Sequence, residues 1–198
     1  MSFHRVKPVH THLTRTYSNY RRYKDLLAND FHECCGYCDD HHSFSGGQNN
    51  YHIDHFAPKS IFPTLENEYS NLVYSCPYCN RSKSDKWVSS EANENIVDGI
   101  GFADPCDTDY DAHLYRKSDG SIAYKDSVGE YMFKELNLCL ERHRIAYMMD
   151  MLDRKIDQIN EFLENKETAV ESIANGKDIL LETYNAFHSY YKICKHMK

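Results

Sequence analysis

The chain has 198 residues, of which 41% are hydrophobic and 27% are charged, and its formal net charge is −7. This composition is typical of a soluble globular protein, and no apolar run reaches the roughly 20 residues that a membrane-spanning helix needs. The N-terminus lacks the apolar stretch and cleavage site of a secretory signal, so the sequence predicts a cytoplasmic protein. In that reducing compartment its eight cysteines are expected to be thiols or metal ligands.

Composition divides the chain into three predicted regions. Residues 1–30 form a basic segment, 31–95 are rich in Cys, His and Asn, and 96–198 are acidic overall. Residues 1–24 contain six Arg or Lys and no Asp or Glu, whereas residues 91–198 hold 21 acidic and 13 basic side chains. The local charge of a segment can differ in sign from the net charge of the chain, so we expect the basic N-terminal segment to contact nucleic acid. The alternative is a solvated arm that has no partner.

The N-terminal segment is predicted to contain a helix that leads into the first cysteines. The spacing of three to four residues between its aromatic and apolar side chains indicates this helix. These side chains are Tyr17, Tyr20, Tyr23, Leu26 and Leu27.

Two cysteine couples are the first signal of chemistry: Cys35 with Cys38, and Cys76 with Cys79. Two thiolates separated by two residues can point into one tight turn, and two such turns can close around a tetrahedral Zn²⁺. A disulfide is a weak alternative in the reducing cytoplasm. A thioredoxin-like redox site would have one Cys-x-x-Cys pair and not two. The sequence thus predicts a four-cysteine structural zinc site. Cys34 and three nearby histidines are rival ligands, namely His32, His41 and His42.

Between the couples lies an Asp-His-x-x-Pro-Lys-Ser motif that begins at Asp54, and Asn71 and Asn80 flank the second couple. Over roughly residues 31–86 the order and spacing of these residues resemble the HNH family of ββα-metal nucleases in its zinc-ribbon form. The resemblance implies an endonuclease with His55 as general base. It also implies that Asn71 hydrogen-bonds the backbone near His55 and keeps two antiparallel strands in register.

The chemistry of these residues agrees with that resemblance. Phosphodiester hydrolysis needs a water activated near pH 7 and a cation that neutralises charge on the phosphate. Neutral His55 can take the proton of that water. Asp54 points to the other side of an extended backbone, so it can hold Mg²⁺ or Mn²⁺, and the Asn80 amide oxygen can complete the site. His52 is a further candidate near the metal. A lone histidine would more often be structural, but His55 is framed by these groups.

Basic side chains near the motif are candidates for phosphate contacts, although each alone could be a solvated surface charge. They lie in the N-terminal segment and around the second cysteine couple. The candidates are Lys59, Arg81, Lys83, Lys86, Arg21, Arg22 and Lys24.

After the core, Asp119-Gly120 lies between two short alternating runs, which predicts a β-hairpin. A short helix is predicted from Ser127, followed by a long amphipathic helix through Ile145 and Leu163. A last helical stripe runs from Val170 to Tyr191, and Asn175-Gly176 is expected to interrupt it, because glycine is a poor helix former.

These elements define the predicted fold class: an α+β protein with a small zinc-stapled ββα-metal core, a β-hairpin and a C-terminal helical hairpin or bundle. Downstream motifs resemble, more loosely, the PtuB-like HNH subunits that accompany an ATPase in Septu-type anti-phage systems. The motifs include Asp104-Pro105-Cys106-Asp107, the hairpin, and the segment from Glu135 through Arg144. That resemblance implies a partner ATPase, with the acidic helical region as one docking surface.

Three functions remain open at this stage. A DNA endonuclease is the first, an RNA-cleaving nuclease is the second, and a non-catalytic zinc ribbon that binds nucleic acid or protein is the third. Retention of Asp54, His55 and Asn80 together argues against the non-catalytic reading. RNA stays open because the active site acts on a phosphate and does not read the 2′-hydroxyl.

Overall fold

The computed structural model describes residues 3–12, 14, 16–107, 109–164 and 170–196. The chain forms two compact units, Met1–His143 and Arg144–Lys198. The architecture is α+β with small β-hairpins and a C-terminal helical pair, which confirms the predicted fold class. Within the described residues, no helix combines the length and apolar character that crossing a bilayer requires.

The centre of the first unit is a ββα motif. Strands β1 (His52–His55) and β2 (Leu72–Ser75) pair antiparallel, with His55 opposite Leu72 and His52 opposite Ser75. Helix α2 (Pro77–Lys83) follows directly. Its first turn is stabilised by Pro77 and by the Cys76 Sγ, which accepts a hydrogen bond from the Cys79 backbone N–H. The second cysteine couple is therefore fixed where a strand meets a helix.

The N-terminal residues pack against this motif. A 3-10 turn at Tyr20–Tyr23 precedes helix α1 (Lys24–Asp30), so the helix expected from the aromatic spacing is α-helical only from Lys24. The Asn19 side chain caps the 3-10 turn by accepting from the Arg21 N–H. Further upstream, the His4 Nε2 lies 2.7 Å from the Gly36 carbonyl oxygen. This part of the segment is therefore anchored to the core.

Asp30 links the N-terminal residues to the core. Its carboxylate accepts hydrogen bonds from the Thr11 N–H at 2.7 Å, the Thr11 hydroxyl at 2.6 Å and the Tyr69 hydroxyl at 2.8 Å. Burial raises the pKa of Asp30, but these three donors outweigh it and the net pKa is lowered. Thr11 is thus held to the end of α1 in the ionised state of Asp30.

After α2, the first unit continues with short strands and helices. Strands β3 (Ile96–Val97) and β4 (Ile100–Gly101) form a short ribbon, and a single helical turn, α3 (Tyr110–His113), leads into β5. Strands β5 (Leu114–Arg116) and β6 (Ile122–Tyr124) form the predicted hairpin, with Gly120 at a φ of 84° in its turn. Helix α4 (Ser127–Glu135) is capped by the Asp126 side chain.

A buried ionic cluster centres on Asp40, whose side chain is 0% exposed. Its Oδ2 lies 2.6 Å from the His143 Nδ1 and 3.0 Å from the Arg142 guanidinium. Arg116 approaches its Oδ1 at 3.7 Å and also donates to the Cys38 carbonyl. The loop that carries the first cysteine couple is therefore tied to the hairpin and to the start of the next helix.

The second unit contains most of helix α5 (Glu141–Glu164) and helix α6 (Val170–His196). Helix α6 is continuous through Asn175-Gly176, so the predicted interruption is wrong. A Cβ on Gly176 would lie 2.8 Å from the Leu163 Cδ2 of α5. Glycine is present because the two helices approach closely at this point, and not because the helix ends there.

Candidate active site

The four predicted cysteine ligands converge in the first unit. Their Sγ atoms lie within 4.8 Å of one another, and all four residues are buried. The Cys38 Sγ and the Cys76 Sγ are 3.8 Å apart. A tetrahedral ion with Zn–S bonds of about 2.3 Å requires sulfur separations of about 3.8 Å, so the cluster has the dimensions of a structural zinc site.

Packing shapes the turn that holds the first couple. Gly36 lies between Cys35 and Cys38, and a Cβ at this position would lie 2.7 Å from the Phe31 ring and 2.8 Å from the Val73 side chain. The Gly36 N–H also donates to the Tyr74 carbonyl of β2 at 2.9 Å. Cys35 is the member of the cluster, whereas Cys34 lies outside it beside the Arg5 guanidinium.

A cleft of about 620 Å³ lies beside the ββα motif. Three of the predicted catalytic or metal-binding residues line it: Asp54 and His55 from β1, and Asn80 from α2. Tyr20, His52, Lys59 and Arg81 also contribute to its walls. The strand and the helix thus bring together side chains that are 25 residues apart in sequence.

The His55 ring is held in one tautomer. Its Nε2 lies 3.0 Å from the Glu66 carbonyl oxygen, which can only accept a hydrogen bond, so Nε2 carries the proton. The other ring nitrogen, Nδ1, then has a free lone pair, and it makes no hydrogen bond to any residue that the structure describes. Burial lowers the pKa of His55, which keeps the ring neutral near pH 7.

Asp54 is buried and shares one carboxylate oxygen with two partners. The Tyr37 hydroxyl donates to its Oδ2 at 2.6 Å, and the Lys83 ammonium lies 3.4 Å from the same atom. Burial raises the pKa of Asp54, although both partners oppose that effect. Within the described residues, Oδ1 makes no hydrogen bond, so this oxygen is available to a ligand in the cleft.

Asn71 supports the loop that follows His55. Its Oδ1 accepts from the Ala57 N–H at 2.8 Å, and its Nδ2 donates to the Ala57 carbonyl at 3.0 Å and to the Leu65 carbonyl at 3.4 Å. The side chain is buried and does not line the cleft. Its position agrees with a backbone-supporting role.

The basic residues that follow Asn80 lie in three different environments. Arg81 lines the cleft, but Lys83 is 0% exposed and donates to the His55 carbonyl at 3.1 Å. Lys83 is therefore a buried partner of Asp54 and not a surface phosphate contact. Lys86 pairs with Glu135 at 2.6 Å on the surface.

The remaining predicted cations lie around the rim of the cleft. Lys59 pairs with Glu66 at 2.8 Å and lines the cleft, while Arg21 lines a smaller neighbouring hollow that shares Tyr20 and Lys59 with it. The Arg22 guanidinium lies 4.3 Å from the centre of the Tyr17 ring. The Lys24 ammonium donates to the Tyr51 carbonyl at 2.7 Å, which gives it a structural contact.

Two residues at the site were missed from the sequence. The Tyr20 ring packs edge-on against the His55 ring, with centroids 4.7 Å apart, and Glu66 supplies the carbonyl that fixes the His55 tautomer. A backbone carbonyl carries no sequence signal. Tyr20 lies 35 residues before His55 in a region whose aromatic spacing indicated only a helix.

Comparison with known proteins bears on this site. Residues 35–86 match the family model described as HNH endonuclease. The chain is 27% identical over 151 residues to the Septu protein PtuB of Bacillus mycoides (strain KBAB4), and the alignment covers 62% of this chain and 50% of the relative. The chain therefore spans about half the length of that relative. No solved structure shows a significant match.

Proposed function

We propose that this chain is a divalent-metal-dependent endonuclease that cuts DNA in anti-phage defence, because residues 35–86 match the HNH endonuclease family model. One observation carries the proposal: the His55 Nε2–H is bound to the Glu66 carbonyl in a cleft shared with Asp54 and Asn80. That contact leaves the lone pair of the His55 Nδ1 available to a water in the cleft.

In the proposed reaction His55 acts as the general base. Its Nδ1 accepts a proton from the attacking water, and the Glu66 carbonyl keeps the ring from presenting the wrong nitrogen. The edge of Tyr20 limits rotation of the same ring. A base held in one orientation meets the water without first reorganising, which is where positioning contributes to the rate.

Asp54 and Asn80 would hold the catalytic ion. The free Asp54 Oδ1 and the Asn80 amide oxygen are hard oxygen donors in one cleft, as Mg²⁺ or Mn²⁺ prefers. Such an ion supplies positive charge that stabilises the phosphate and the leaving oxygen. Lys83 holds the other carboxylate oxygen, so the orientation of Asp54 is set before an ion binds.

The four-cysteine cluster would hold a structural Zn²⁺. Its thiolates come from a loop before β1 and from the junction of β2 and α2, so the ion would join the two segments that flank the cleft. Bound there it would have four sulfur ligands and no open position, which fits a folding role and not a catalytic one.

The functional test compares His55→Ala with the parent on plasmid DNA and on total RNA, each with Mg²⁺ or Mn²⁺. Loss of a general base should lower the cleavage rate by about 10²–10⁴-fold while zinc content and folding stay unchanged. His188→Ala, an exposed histidine of α6, is the matched control and should cut like the parent. Cleavage by His55→Ala at the parental rate would overturn the mechanism, and cleavage of RNA alone would overturn the DNA assignment.

A partner ATPase is the second part of the proposal. It rests on the similarity to a Septu protein and on the large apolar side chains that the second unit exposes, including Phe162, Ile179, Leu181 and Tyr184. Apolar groups concentrated on helices are typical of surfaces that bind another protein. Affinity capture after co-expression with a Septu-type ATPase tests it, and failure to co-purify at low salt would contradict it.

A further inference from the structure

A second group of metal-binding side chains lies outside both the cysteine cluster and the cleft. Glu33, His41 and His42 each contribute one donor atom, and the three atoms lie within 4.8 Å of one another. We propose that these three residues form a surface Zn²⁺ site that closes the ends of the loop carrying Cys35 and Cys38.

The distances agree with one ion bound by all three side chains. The Glu33 Oε2 lies 3.1 Å from the His41 Nε2 and 3.6 Å from the His42 Nε2. Ligands at about 2.0–2.2 Å from a tetrahedral Zn²⁺ are separated by about 3.3–3.6 Å. Both Glu33 distances therefore lie within a few tenths of an ångström of the separations expected around one ion, and the donor atoms of the two histidines lie within 4.8 Å of each other.

The backbone fixes the two segments that supply these ligands. The His42 N–H donates to the Glu33 carbonyl at 2.9 Å, and Cys34 and His41 form an antiparallel bridge. The donor atoms therefore approach one another in a framework that does not depend on the metal. Little chain entropy would be given up on binding, which favours affinity.

Both histidines also have a partner on the nitrogen that would face away from the metal. The His42 Nδ1 lies 2.9 Å from the Tyr74 hydroxyl, and the His41 Nδ1 lies 2.8 Å from the Ser43 hydroxyl. Each hydroxyl oxygen can accept an Nδ1–H, which presents the Nε2 lone pair to the ion. The longer approach of the Ser43 N–H to the His41 Nδ1, at 3.3 Å, would be given up in that tautomer.

Partial exposure distinguishes this site from the cysteine cluster. The side chains are 22% (His41), 15% (His42) and 54% (Glu33) exposed, whereas all four cysteines are buried. Two imidazoles and one carboxylate leave a fourth position for water, so the bound ion would exchange more readily than the four-cysteine ion. The competing explanation is an ion pair between Glu33 and protonated histidines, which binds no metal.

The experiment counts zinc in the full chain after dialysis against dilute free Zn²⁺, with excess Mg²⁺ present to occupy the cleft. The parent should bind one more Zn²⁺ than the His41→Gln/His42→Gln variant. His188→Gln, which changes an exposed histidine of α6, should bind as many as the parent. Equal zinc content in the parent and the double variant would overturn the proposal, whether or not the chain proves to be a nuclease.

A Co²⁺ titration identifies the ligands of the additional ion. Added in excess Mg²⁺ to parent protein that carries Zn²⁺ only in the four-cysteine cluster, Co²⁺ should give d–d absorption without the thiolate-to-cobalt charge-transfer band, and the double variant should give neither. A charge-transfer band from the added ion would assign it to cysteines and reject the Glu33, His41 and His42 site. The parent should also melt at a higher temperature in excess Zn²⁺, and the double variant should lose that increase.

Discussion

Lys83 shows how a buried charge supports the cleft. The residue is 0% exposed, and its ammonium lies between the Asp54 carboxylate and the His55 carbonyl. Burial lowers the pKa of Lys83, and the attraction of Asp54 opposes this effect. The ion pair therefore holds the last two residues of β1, which are the proposed ligand and the proposed base.

We predict that Lys83→Met lowers the free energy of unfolding by about 3–5 kcal/mol, because it leaves the Asp54 carboxylate buried without its counter-charge. Lys86→Met is the matched control on the adjacent segment. Its partner Glu135 is on the surface, so its loss should cost less than about 1 kcal/mol. Urea denaturation of both variants at pH 7 measures the difference, and equal destabilisation would contradict the assignment of Lys83 to the core.

Lys83 is buried and Lys86 is on the surface, and this difference shows what the sequence can predict at the scale of a residue. Asp54, His55 and Asn80 could be proposed as site residues because their spacing and residue types together restrict their chemistry, and all three line one cleft. Lys83 could not be separated from its neighbours, since a lysine in a basic stretch looks the same whether it faces solvent or a buried carboxylate. Its burial depends on where α2 packs against β1, which is a tertiary contact.

At the scale of the element, the two cysteine couples lie on the two segments of the ββα motif that a bound metal would join. One couple lies in the loop before β1, and the other spans the start of α2. The strands are four residues each and make a two-stranded sheet, which is marginally stable without further support. The metal is therefore expected to contribute to folding directly.

We predict that Cys79→Ser loses zinc and unfolds at a markedly lower urea concentration than the parent, because a ligand that joins distant segments carries folding free energy. Cys139→Ser changes an exposed cysteine outside the cluster and should keep both the zinc and the stability of the parent. Elemental analysis and urea denaturation give the two readouts. A Cys79→Ser protein that retains one zinc with four-sulfur spectroscopy would rule out Cys79 as a ligand.

The secondary-structure elements that were predicted correctly are those whose form is set by residues close together in the sequence. The β5–β6 hairpin and helix α4 were expected because turn residues and apolar spacing act over a few positions. Helix α6 was expected to break at Gly176, and it does not, because the close approach of Leu163 selects glycine for its size. Sequence alone does not distinguish a glycine that ends a helix from one that admits a neighbouring helix.

At the scale of the molecule, the acidic total conceals a basic rim around the cleft. Arg81 and Lys59 line the cleft itself, and Arg21 lines the hollow beside it. The net charge of −7 is carried mainly by the acidic excess beyond residue 90. Asp54 and Asp85 also line the cleft, and Lys59 is paired with Glu66, so Arg81 and Arg21 are the cations proposed to meet a substrate phosphate.

We predict that Arg21→Ala/Arg81→Ala weakens duplex DNA binding and reduces the slope of log affinity against log salt by about 1.8, since each arginine that no longer neutralises a phosphate lowers the slope by about 0.9. Sequence preference should not change, because phosphate contacts position a substrate while base contacts specify it. Lys117→Ala/Lys134→Ala removes two exposed charges that do not line the cleft and should leave the slope unchanged. Identical slopes for the two double variants would exclude the rim from the interface.

The contacts of Asp40 extend the structural unit beyond the residues that match the family. The family match ends at residue 86, yet the Asp40 carboxylate contacts Arg116, Arg142 and His143, which all lie beyond it. An excised segment of residues 35–86 would retain every cysteine ligand and both catalytic candidates of β1, but it would remove the partners that hold Asp40, two residues after Cys38. A segment that keeps the Asp40 contacts therefore extends to His143 and includes the hairpin and the start of α5.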